Sequence, residues 1–363
     1  MKIDEIDSRW LRVPLPRTIA NSTHVLRFID WIIVEVASGD HVGRSVMLSF
    51  DYAPELLRGI VASELKRHLI GLPAEDIRAI HQINLRATEY VGQTGLAMWG
   101  TSAIDVALWD LLARSLNVPA SLLFGRAARS VPVYGSGGWI SWSDEELADS
   151  VSSYLERGFR AVKIKIGGPS EDWDVARVRA VRQLVGPDVG LAVDCNQGLT
   201  LERALRTARR LEECGLFWIE EPFARDDIES YCRLAAATEI PLAAGEREFG
   251  LEGFSRLAAA RAVSIVQPDL LRVGGVTGWR LAAGLAEANR LRVAPHFYKE
   301  YDVHLAAGLT NLVAIEWFDW LDPLLVSPLE IRDGQAVVPE RSGFGVEFRP
   351  EAVREYEVRG TIR

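Results

Sequence analysis

Short apolar runs alternate with longer amphipathic stretches along most of the chain beyond residue 130. Apolar runs of this length, separated by segments with helical spacing, predict buried strands joined by helices. Parallel strands need long crossover connections, so the pattern favours a parallel barrel of the α/β class over an antiparallel sheet. The predicted strands are Val131–Tyr134, Ala161–Ile166, Gly190–Val193, Phe217–Ile219, Leu242–Ala244, Ser264–Val266, Arg292–Ala294 and Ala314–Glu316.

The first part of the chain follows a different pattern, which is typical of mixed α and β structure. The run Trp31–Val36 predicts a strand that ends at a turn. Helical spacing extends from Pro54 through Leu69, and a second helix with an inward apolar face is predicted from Met98 to Leu116. These elements predict an N-terminal α+β domain over residues 1–125.

The change of pattern after residue 125 sets the predicted domain boundaries. The barrel is predicted over residues 126–320, which leaves a C-terminal segment over residues 321–363. Alternation and a central turn predict a β-hairpin from Leu329 to Val338 within that segment. We expect this hairpin to return to the N-terminal domain.

Composition and charge narrow the class of protein and of partner. The 363 residues are 48% hydrophobic and 25% charged, as in ordinary globular proteins, and the net charge is −9. With no block of basic residues, a nucleic-acid or anionic-membrane partner is not expected. The opening residues interleave charged with apolar side chains, so we expect a cytoplasmic protein. Reduced thiols are expected at the three cysteines, Cys195, Cys214 and Cys232.

Polar and charged side chains stand where the predicted strands end. Successive groups are separated by 20 to 29 residues, about one βα unit, so they should lie on successive strands around one rim. Barrel enzymes build their active sites on that rim. Side chains two positions apart on a strand share a face, so neighbouring pairs enter one pocket. The strand-end residues are Lys163, Lys165, Asp194, Asn196, Glu220, Glu246, Asp269, His296 and Glu316.

Three of these strand-end residues are carboxylates on neighbouring strands. Asp194, Glu220 and Glu246 would repel one another and lose hydration if they were buried without a cation. Oxygen ligands held by rigid strands, with no cysteine or histidine among them, suit a hard octahedral cation. The sequence therefore predicts one Mg²⁺ site, with Mn²⁺ as the alternative ion.

Two candidate bases flank this predicted metal site. Lys163 and Lys165 stand on one side, and a lysine near a divalent cation and a second ammonium is driven towards its neutral, basic form. His296 stands on the other side, where Asp269 can accept one ring proton and orient the imidazole. Such a pair can act on opposite faces of one bound substrate.

This set of residues suits the removal of a proton next to a carboxylate. Removing such a weakly acidic proton leaves an enediolate, which carries two negative charges on the former carboxylate. A divalent cation stabilises that charge, assisted by Lys163 and a hydrogen-bond donor on the opposite strand. We expect Glu316, protonated in a crowded acidic site, to be that donor.

The chain resembles the mandelate racemase subgroup of the enolase superfamily. The likeness extends over essentially the whole chain and implies a modified TIM barrel, (β/α)₇β, capped by an α+β domain formed from both chain ends. Its motifs are Val162-Lys163-Ile164-Lys165, Asp194-Cys195-Asn196, Trp218-Ile219-Glu220-Glu221-Pro222, Gly245-Glu246, Gln267-Pro268-Asp269 and Pro295-His296, with Glu316 after the last strand.

The resemblance also implies a role for each matching residue. The carboxylates named above become Mg²⁺ ligands, and Glu220 rather than Glu221 is the second of them. Lys165 becomes the base on one face, and the Asp269–His296 pair becomes the acid and base on the other. The resemblance makes Lys163 and Glu316 contacts to the substrate carboxylate.

The reaction implied by this likeness is dehydration of an acid sugar, the commoner activity of the subgroup, because the stretch from Glu316 through Pro323 to the C-terminal hairpin resembles galactarate/talarate-type dehydratases. An aldonate or aldarate would lose water to give a 2-keto-3-deoxy acid. A racemase or epimerase of a 2-hydroxy acid is the alternative, and a sugar-lactone cycloisomerase is the third reading. A metal-binding protein without catalysis explains the carboxylates but not the bases. The family habit implies a homo-oligomer, often an octamer.

Loops of the capping domain set specificity in this family. Here those loops are predicted at residues 16–24 and 47–52. Arg17, His24 and Tyr52 are the candidate substrate contacts in them, together with Asn196 on the barrel rim. The polar sequence of residues 21–24 favours a polyhydroxy acid over an aromatic one.

Overall fold

A computed structural model describes residues 1–50 and 52–359 of the chain. Residue 51, within the second predicted capping loop, and residues 360–363, within the predicted C-terminal segment, lie outside the described residues. The described part forms an antiparallel sheet with its own helices, followed by a parallel barrel. The fold class inferred from the sequence is confirmed.

Antiparallel strands begin the fold and pair in chain order. Buried and exposed residues alternate from Glu5 to Trp10 in the first strand, whereas Ile29–Val34 in the second strand are all buried, as in a strand that is covered on both faces. The predicted strand Trp31–Val36 is confirmed as the buried middle of the second strand. The described strands of this sheet are β1 (Glu5–Ala20), β2 (Val25–Ser38) and β3 (His41–Ser49).

Helices cover one face of this sheet. The predicted helical stretch from Pro54 to Leu69 is confirmed in extent, but its middle, Ile60–Leu65, is π-helical rather than α-helical. The longest helix, Leu96–Ser115, is apolar enough to span a membrane, yet 78% of its apolar window is buried inside the protein. The described α-helices here are α1 (Pro54–Gly59), α2 (Lys66–Leu69), α3 (Ile77–Ala87), α4 (Leu96–Ser115) and α5 (Ala120–Leu123), with a 3₁₀ turn at Glu89–Val91.

A parallel barrel follows, and each predicted run overlaps one of its strands. Within the described residues, eight strands alternate with seven α-helices. The strands are β4 (Ser130–Gly137), β5 (Ala161–Lys165), β6 (Gly190–Asp194), β7 (Ile219–Glu220), β8 (Leu242–Ala244), β9 (Ile265–Val266), β10 (Arg292–Val293) and β11 (Ile315–Trp317). The helices are α6 (Asp144–Glu156), α7 (Glu171–Val185), α8 (Leu201–Leu211), α9 (Ile228–Ala235), α10 (Glu252–Ala260), α11 (Gly275–Ala288) and α12 (Lys299–Ala306), with 3₁₀ turns at Glu212–Cys214 and Asp322–Leu324.

The barrel closes where its last strand meets its first. Strand β11 pairs in parallel with β4, and a parallel bridge between Val293 and Leu312 joins the β10 and β11 segments. Going around the ring, β5 and β10 are separated on one side by β4 and β11. Side chains at the ends of β5 and β10 therefore approach the barrel mouth from different sides.

The predicted C-terminal hairpin forms, but its predicted position is wrong. It consists of β12 (Ile331–Arg332) and β13 (Gln335–Val337), and β13 pairs antiparallel with residues 130–132 of β4 rather than with the N-terminal sheet. Those three residues precede the part of β4 that pairs with β5 and β11. Their backbone groups need partners, and the hairpin supplies them.

The chain returns to the N-terminal sheet only after this hairpin. Helix α13 (Pro350–Tyr356) contacts β1, and the Val358 amide donates to the Trp10 carbonyl oxygen at 2.8 Å. An antiparallel bridge joins Leu11 to Glu357. The later residues of the predicted C-terminal segment thus tie the end of the chain to the first strand.

Gly43 lets helix α4 lie directly against β3. A Cβ atom at this position would lie 2.0 Å from the Ala107 carbonyl oxygen and 2.7 Å from the Leu111 Cβ. Relief of that overlap requires movement of the backbone of α4. We expect Gly43→Ala to lower the free energy of unfolding, measured in urea, by about 1–3 kcal/mol. Gly284→Ala is the control: this exposed residue of α11 has nothing within 4 Å of an added Cβ, so unchanged or slightly higher stability is expected.

His304 on α12 is buried as a neutral imidazole. Its Nδ1 accepts a hydrogen bond from the Ser121 amide at 3.3 Å, and its Nε2 donates to the Phe344 carbonyl oxygen at 3.1 Å. These partners fix the tautomer with the proton on Nε2. Burial lowers the pKa of His304 from 6.5 to about 3.

This buried histidine makes stability depend on pH. Below about pH 6.5 the unfolded chain takes up a proton that the folded chain refuses until about pH 3, so stability falls as the pH falls through that window. The slope from this group is at most about 1.4 kcal/mol per pH unit. We expect His304→Gln to flatten the stability profile between pH 6.5 and 5, measured by urea unfolding. An unchanged slope, matching that of the exposed-residue control His68→Gln, would contradict the assignment.

Candidate active site

Strand alternation carries the polar side chains into the barrel mouth. The barrel interior is filled by residues that include Ala161, Ala192, Trp218, Ala294 and Ala314. Two positions further along each chain segment stand Lys163, Asp194, Glu220, His296 and Glu316, which therefore point to the same side of the barrel wall. The polar side chains therefore lie next to the apolar core of the barrel interior, at the barrel mouth.

The predicted metal ligands converge. Asp194, Glu220 and Glu246 are all buried, and each offers a carboxylate oxygen within 4.8 Å of the others. Three oxygen donors at this spacing fit a hard divalent cation such as Mg²⁺. The neighbouring Glu221 is held elsewhere, because it accepts from Gln197 Nε2 at 3.0 Å and pairs with an arginine.

Charge repulsion and burial shape the titration of this group. Burial raises the pKa of Glu220 to about 8, and Asp194 adds to the increase although Lys163 opposes it. Burial would also raise the pKa of Asp194, but Lys165 and Lys163 outweigh it and lower that pKa. A divalent cation among these carboxylates would offset their repulsion, which is a second reason why the residues fit Mg²⁺.

Two neutral donors fix the Glu220 carboxylate. Gln267 Nε2 donates to Glu220 Oε2 at 2.7 Å, and Trp218 Nε1 donates to the same oxygen at 2.9 Å. Sequence reasoning assigned neither residue a role. The signal was present, since Gln267 stands two positions before Asp269 on the same face of its strand.

The two lysines share Asp194 as a neighbour but have different closest carboxylates. Lys163 pairs with Glu220, and its Nζ lies 2.7 Å from Glu316 Oε1 and 3.8 Å from Asp194 Oδ2. Lys165 pairs with Asp194. Burial would lower the pKa of Lys163, but Glu220 and Glu316 raise it well above its usual value. Lys163 therefore stays protonated in this arrangement, and its ammonium group is suited to binding a carboxylate rather than to accepting a proton.

The predicted histidine–carboxylate pair is present. His296 Nδ1 lies 2.8 Å from Asp269 Oδ2, while Nε2 faces Glu246 Oε2 at 3.4 Å and Glu316 Oε2 at 3.9 Å. Burial would lower the pKa of His296, but Glu246, the Asp269 hydrogen bond and Glu316 raise it to about 9. The imidazole is therefore protonated at neutral pH in this arrangement.

Glu316 differs from the sequence-based expectation of a protonated acid. Burial would raise its pKa, but Lys163 and His296 outweigh burial and lower it to about 2. The carboxylate also accepts from the Phe297 amide at 3.0 Å. Glu316 is therefore an ionised hydrogen-bond acceptor in this structure. The sequence did not indicate this, because it does not show that Lys163 and His296 lie next to Glu316.

A cavity of about 290 Å³ lies between the hairpin formed by β1 and β2, called the capping hairpin, and the polar side chains at the barrel mouth. Of the predicted substrate contacts, His24, Tyr52 and Asn196 line it. Asn196 is oriented towards the ligand group, because its Nδ2 donates to Asp194 Oδ2 at 3.1 Å. Lys165, Glu246, Asp269, His296 and Glu316 line the same cavity.

Arg17, a predicted substrate contact, does not line this cavity. Its guanidinium pairs with Glu146 on α6 and stacks on the Trp142 ring at 4.6 Å from the centroid. A carboxylate and an aromatic face on the barrel exterior hold this side chain away from the cavity.

The hairpin tip itself touches the barrel rim. Asn21 Oδ1 accepts from the Thr23 and His24 amides at 2.9 and 2.8 Å, and the Ser22 hydroxyl donates to the Cys195 carbonyl oxygen at 2.6 Å. This contact places the tip beside the end of β6, where Asp194 stands. Most of the predicted loop 16–24 is thus strand and turn.

The cavity wall is more apolar than the sequence suggested. Beside the polar tip residues, the capping side contributes Leu26, Leu48 and Phe50. On the barrel side, the Phe318 and Trp320 rings stack at 4.4 Å, and Trp139 stacks on Trp320 at 5.7 Å. Residues from the polar stretch 21–24 therefore form only one part of a cavity wall that also contains aliphatic and aromatic side chains.

Family comparisons agree with this geometry. A sequence model of the mandelate racemase and muconate lactonizing enzyme N-terminal domain matches residues 7–125, and one described as enolase C-terminal domain-like matches residues 146–352. The chain belongs to the mandelate racemase and muconate lactonizing enzyme family. Together the two matched ranges include the segments that carry the polar residues of the site.

Individual relatives within the family are enzymes that act on acid sugars. The chain is 36% identical over 294 residues to an L-talarate/galactarate dehydratase from Salmonella typhimurium, an alignment that covers 81% of this chain and 74% of the relative. Other relatives are arabinonate and rhamnonate dehydratases and sugar-acid cycloisomerases. Dehydratases are hydro-lyases, which agrees with the enzyme class expected from the sequence.

Solved structures of the family match the whole fold. A racemase from Streptomyces coelicolor with bound magnesium has a TM-score of 0.95 and 31% identity, covering 98% of this chain and 100% of that one. An L-talarate dehydratase from Polaromonas, in complex with Mg and L-glucarate, has a TM-score of 0.92 and 32% identity, covering 99% and 98%. Magnesium in both neighbours supports the metal assignment made from the carboxylates.

Proposed function

We propose that this chain is a Mg²⁺-dependent acid-sugar dehydratase. Its substrate is an aldonate or aldarate, and its product is a 2-keto-3-deoxy acid. The observation that carries the proposal is the presence of Lys165 and the Asp269–His296 pair in one cavity beside three convergent carboxylates. A protein that only bound metal would need no such bases.

Binding of the substrate carboxylate follows from the charges. Asp194, Glu220 and Glu246 would hold Mg²⁺, which when bound stabilises negative charge developing on the substrate carboxylate. Lys163 supplies a fixed ammonium at the same place. Glu316 stands beside Lys163, and an approaching substrate carboxylate would favour its protonated form, in which it can donate a hydrogen bond.

The bond changes follow from the two candidate proton carriers. Lys165 takes the proton on the carbon next to the carboxylate, leaving an enediolate. His296, held by Asp269 and in its protonated form, donates a proton to the hydroxyl leaving the next carbon, so that water departs. The resulting enol loses the proton of its C2 hydroxyl while the third carbon gains a proton, which gives the 2-keto-3-deoxy acid.

The proposal also covers the domain organisation, the substrate contacts, the oligomeric state and the localisation of the protein. We assign residues 1–125 to the cap, residues 126–320 to the barrel and residues 321–363 to a C-terminal segment, in which helix α13 and Val358 contact the first strand. His24, Tyr52 and Asn196 contact the substrate's hydroxyl groups. Family membership supports a homo-oligomer, and the interleaved charged and apolar residues at the start of the sequence support a cytoplasmic enzyme. Its partner is the small carboxylate substrate.

Racemisation or epimerisation of a 2-hydroxy acid is the second candidate. Two bases that reach a carbon from different sides can exchange its proton without loss of water. The similarity to the Streptomyces coelicolor racemase supports this reading. The similarity of the chain to several acid-sugar dehydratases favours dehydration.

A substrate screen in D₂O separates the two candidates. The Mg²⁺-loaded protein would be incubated with aldonates and aldarates, and 2-keto product would be followed with semicarbazide while NMR follows deuterium at the α-carbon. Keto acid formation supports the dehydratase. Deuterium exchange or inversion without keto acid would replace it by the racemase, and neither signal with any acid would contradict both.

A further inference from the structure

Two arginines line the cavity beside the catalytic residues. Arg247 follows the ligand Glu246, and its Nε lies 3.1 Å from Glu221 Oε2. Arg272 follows Asp269 by three positions, and its Nη1 donates to the Glu246 carbonyl oxygen at 3.1 Å. Both contacts hold the guanidinium groups in place without using all of their N–H groups.

Several of those N–H groups remain available. Within residues 1–50 and 52–359, Arg247 makes no hydrogen bond through Nη1 or Nη2, and Arg272 makes none through Nε or Nη2. Arg272 is also fixed by stacking on the Trp99 ring, with its Cζ 5.5 Å from the centroid. An anion placed in the cavity can therefore accept hydrogen bonds from guanidinium groups that are already positioned.

The cationic part of the cavity continues outward. A neighbouring pocket of about 370 Å³ shares Trp99, Arg247 and Arg272 with the main cavity and adds Arg225 and Asp226, so three arginines face one carboxylate there. Burial and the charges of Arg247 and Arg272 also lower the pKa of His24 on the capping hairpin. This end of the cavity is positive, whereas the end with the metal ligands is rich in carboxylates.

We infer that the substrate is a dicarboxylic acid sugar whose distal carboxylate binds to Arg247 and Arg272. The inference rests on the proposed function, because the first carboxylate is the one activated beside Lys163 and Lys165. Arginine matches a carboxylate through paired N–H groups, and such charged hydrogen bonds are about twice as strong as neutral ones. A mono-acid would present a neutral hydroxymethyl group to the same two cations.

The test compares acids that differ only at the distal end. Galactarate and galactonate share their four hydroxyl-bearing centres, as do glucarate and gluconate. Calorimetric binding to the Mg²⁺-loaded protein should favour the diacid of a pair by about 10- to 100-fold. In Arg247→Gln and in Arg272→Gln that preference should fall to near one. Arg280→Gln, whose guanidinium lies over Trp109 outside the cavity, should keep it.

Two outcomes would overturn the subsite: equal binding or no binding of both members in both pairs, or a diacid preference that persists in Arg247→Gln and Arg272→Gln. Arg247→Gln also removes a partner of the buried Glu221, so Arg247→Lys, which keeps the charge, serves where the first variant fails to fold.

Failure of the subsite is distinguishable from failure of the proposed function. Selective diacid binding without α-proton exchange in D₂O would keep the subsite and reject the dehydratase. Dehydration of galactonate or gluconate as fast as the matched diacid would keep the dehydratase and reject the subsite.

Discussion

Replacing His296 by asparagine is expected to lower kcat by about 10²- to 10⁴-fold, because asparagine occupies similar space but carries no titratable proton. Asp269 would keep a hydrogen-bond partner, so the fold around the pair should survive. The measurement is the rate of 2-keto acid formation with the best acid sugar of the screen, at saturating Mg²⁺. Lys165→Met should cause a loss of similar size, since it removes the other proton carrier.

The two variants should differ in deuterium exchange. In His296→Asn, Lys165 can still exchange the α-proton of bound substrate with D₂O although water cannot depart. Lys165→Met should lose both exchange and product. His68→Asn, on the exposed surface of α2, is the matched control and should retain full activity. Normal turnover in His296→Asn would remove this residue from the mechanism.

Replacing Glu220 by glutamine is expected to weaken Mg²⁺ binding by at least about 100-fold. The change removes one of three carboxylate ligands and leaves Lys163 with Glu316 and Asp194 as its partners. Isothermal titration with Mg²⁺ measures the effect directly, without any substrate. Activity at millimolar Mg²⁺ should fall in parallel.

Glu221→Gln is the matched control, since it makes the same chemical change one residue along the chain. Glu221 points towards Gln197 and Arg247, so its replacement should leave Mg²⁺ affinity close to that of the unmodified protein. Equal loss of affinity in both variants would mean that general charge near the site, rather than ligation by Glu220, holds the ion.

Strand alternation explains why so much of the site could be predicted from sequence. Each buried strand fixes the direction of the side chain at its end, so regular spacing was enough to bring Asp194, Glu220 and Glu246 together. The pairing of Asp269 with His296 followed from the same rule across adjacent strands. The position of a residue along its strand can be inferred from the neighbouring residues in the sequence, so these side chains could be placed without knowledge of distant contacts.

Contacts between distant segments were harder to predict. Arg17 was expected at the cavity but meets Glu146 and Trp142, which are more than 120 residues away in the chain. The ionised state of Glu316 depends on cations brought from β5 and β10. Arg247 was overlooked because one charged residue in a loop has no periodic signal.

The same limit applies to the C-terminal hairpin. Its turn and alternation identified the element, but not which strand it would join. That choice depends on residues 130–132 of β4, whose backbone groups lie outside the closed ring. The sequence of the hairpin contains no information about residues 130–132, which lie about 200 residues earlier in the chain.

Placement of β13 on β4 has a consequence for behaviour at high concentration. A free strand edge invites another molecule to add a strand, which begins ordered aggregation. With the hairpin in place, the outermost strand is β12, only two residues long, and Arg332 on it is exposed. A short, charged border of this kind is a poor template, so the hairpin helps to keep concentrated protein from self-associating through this sheet.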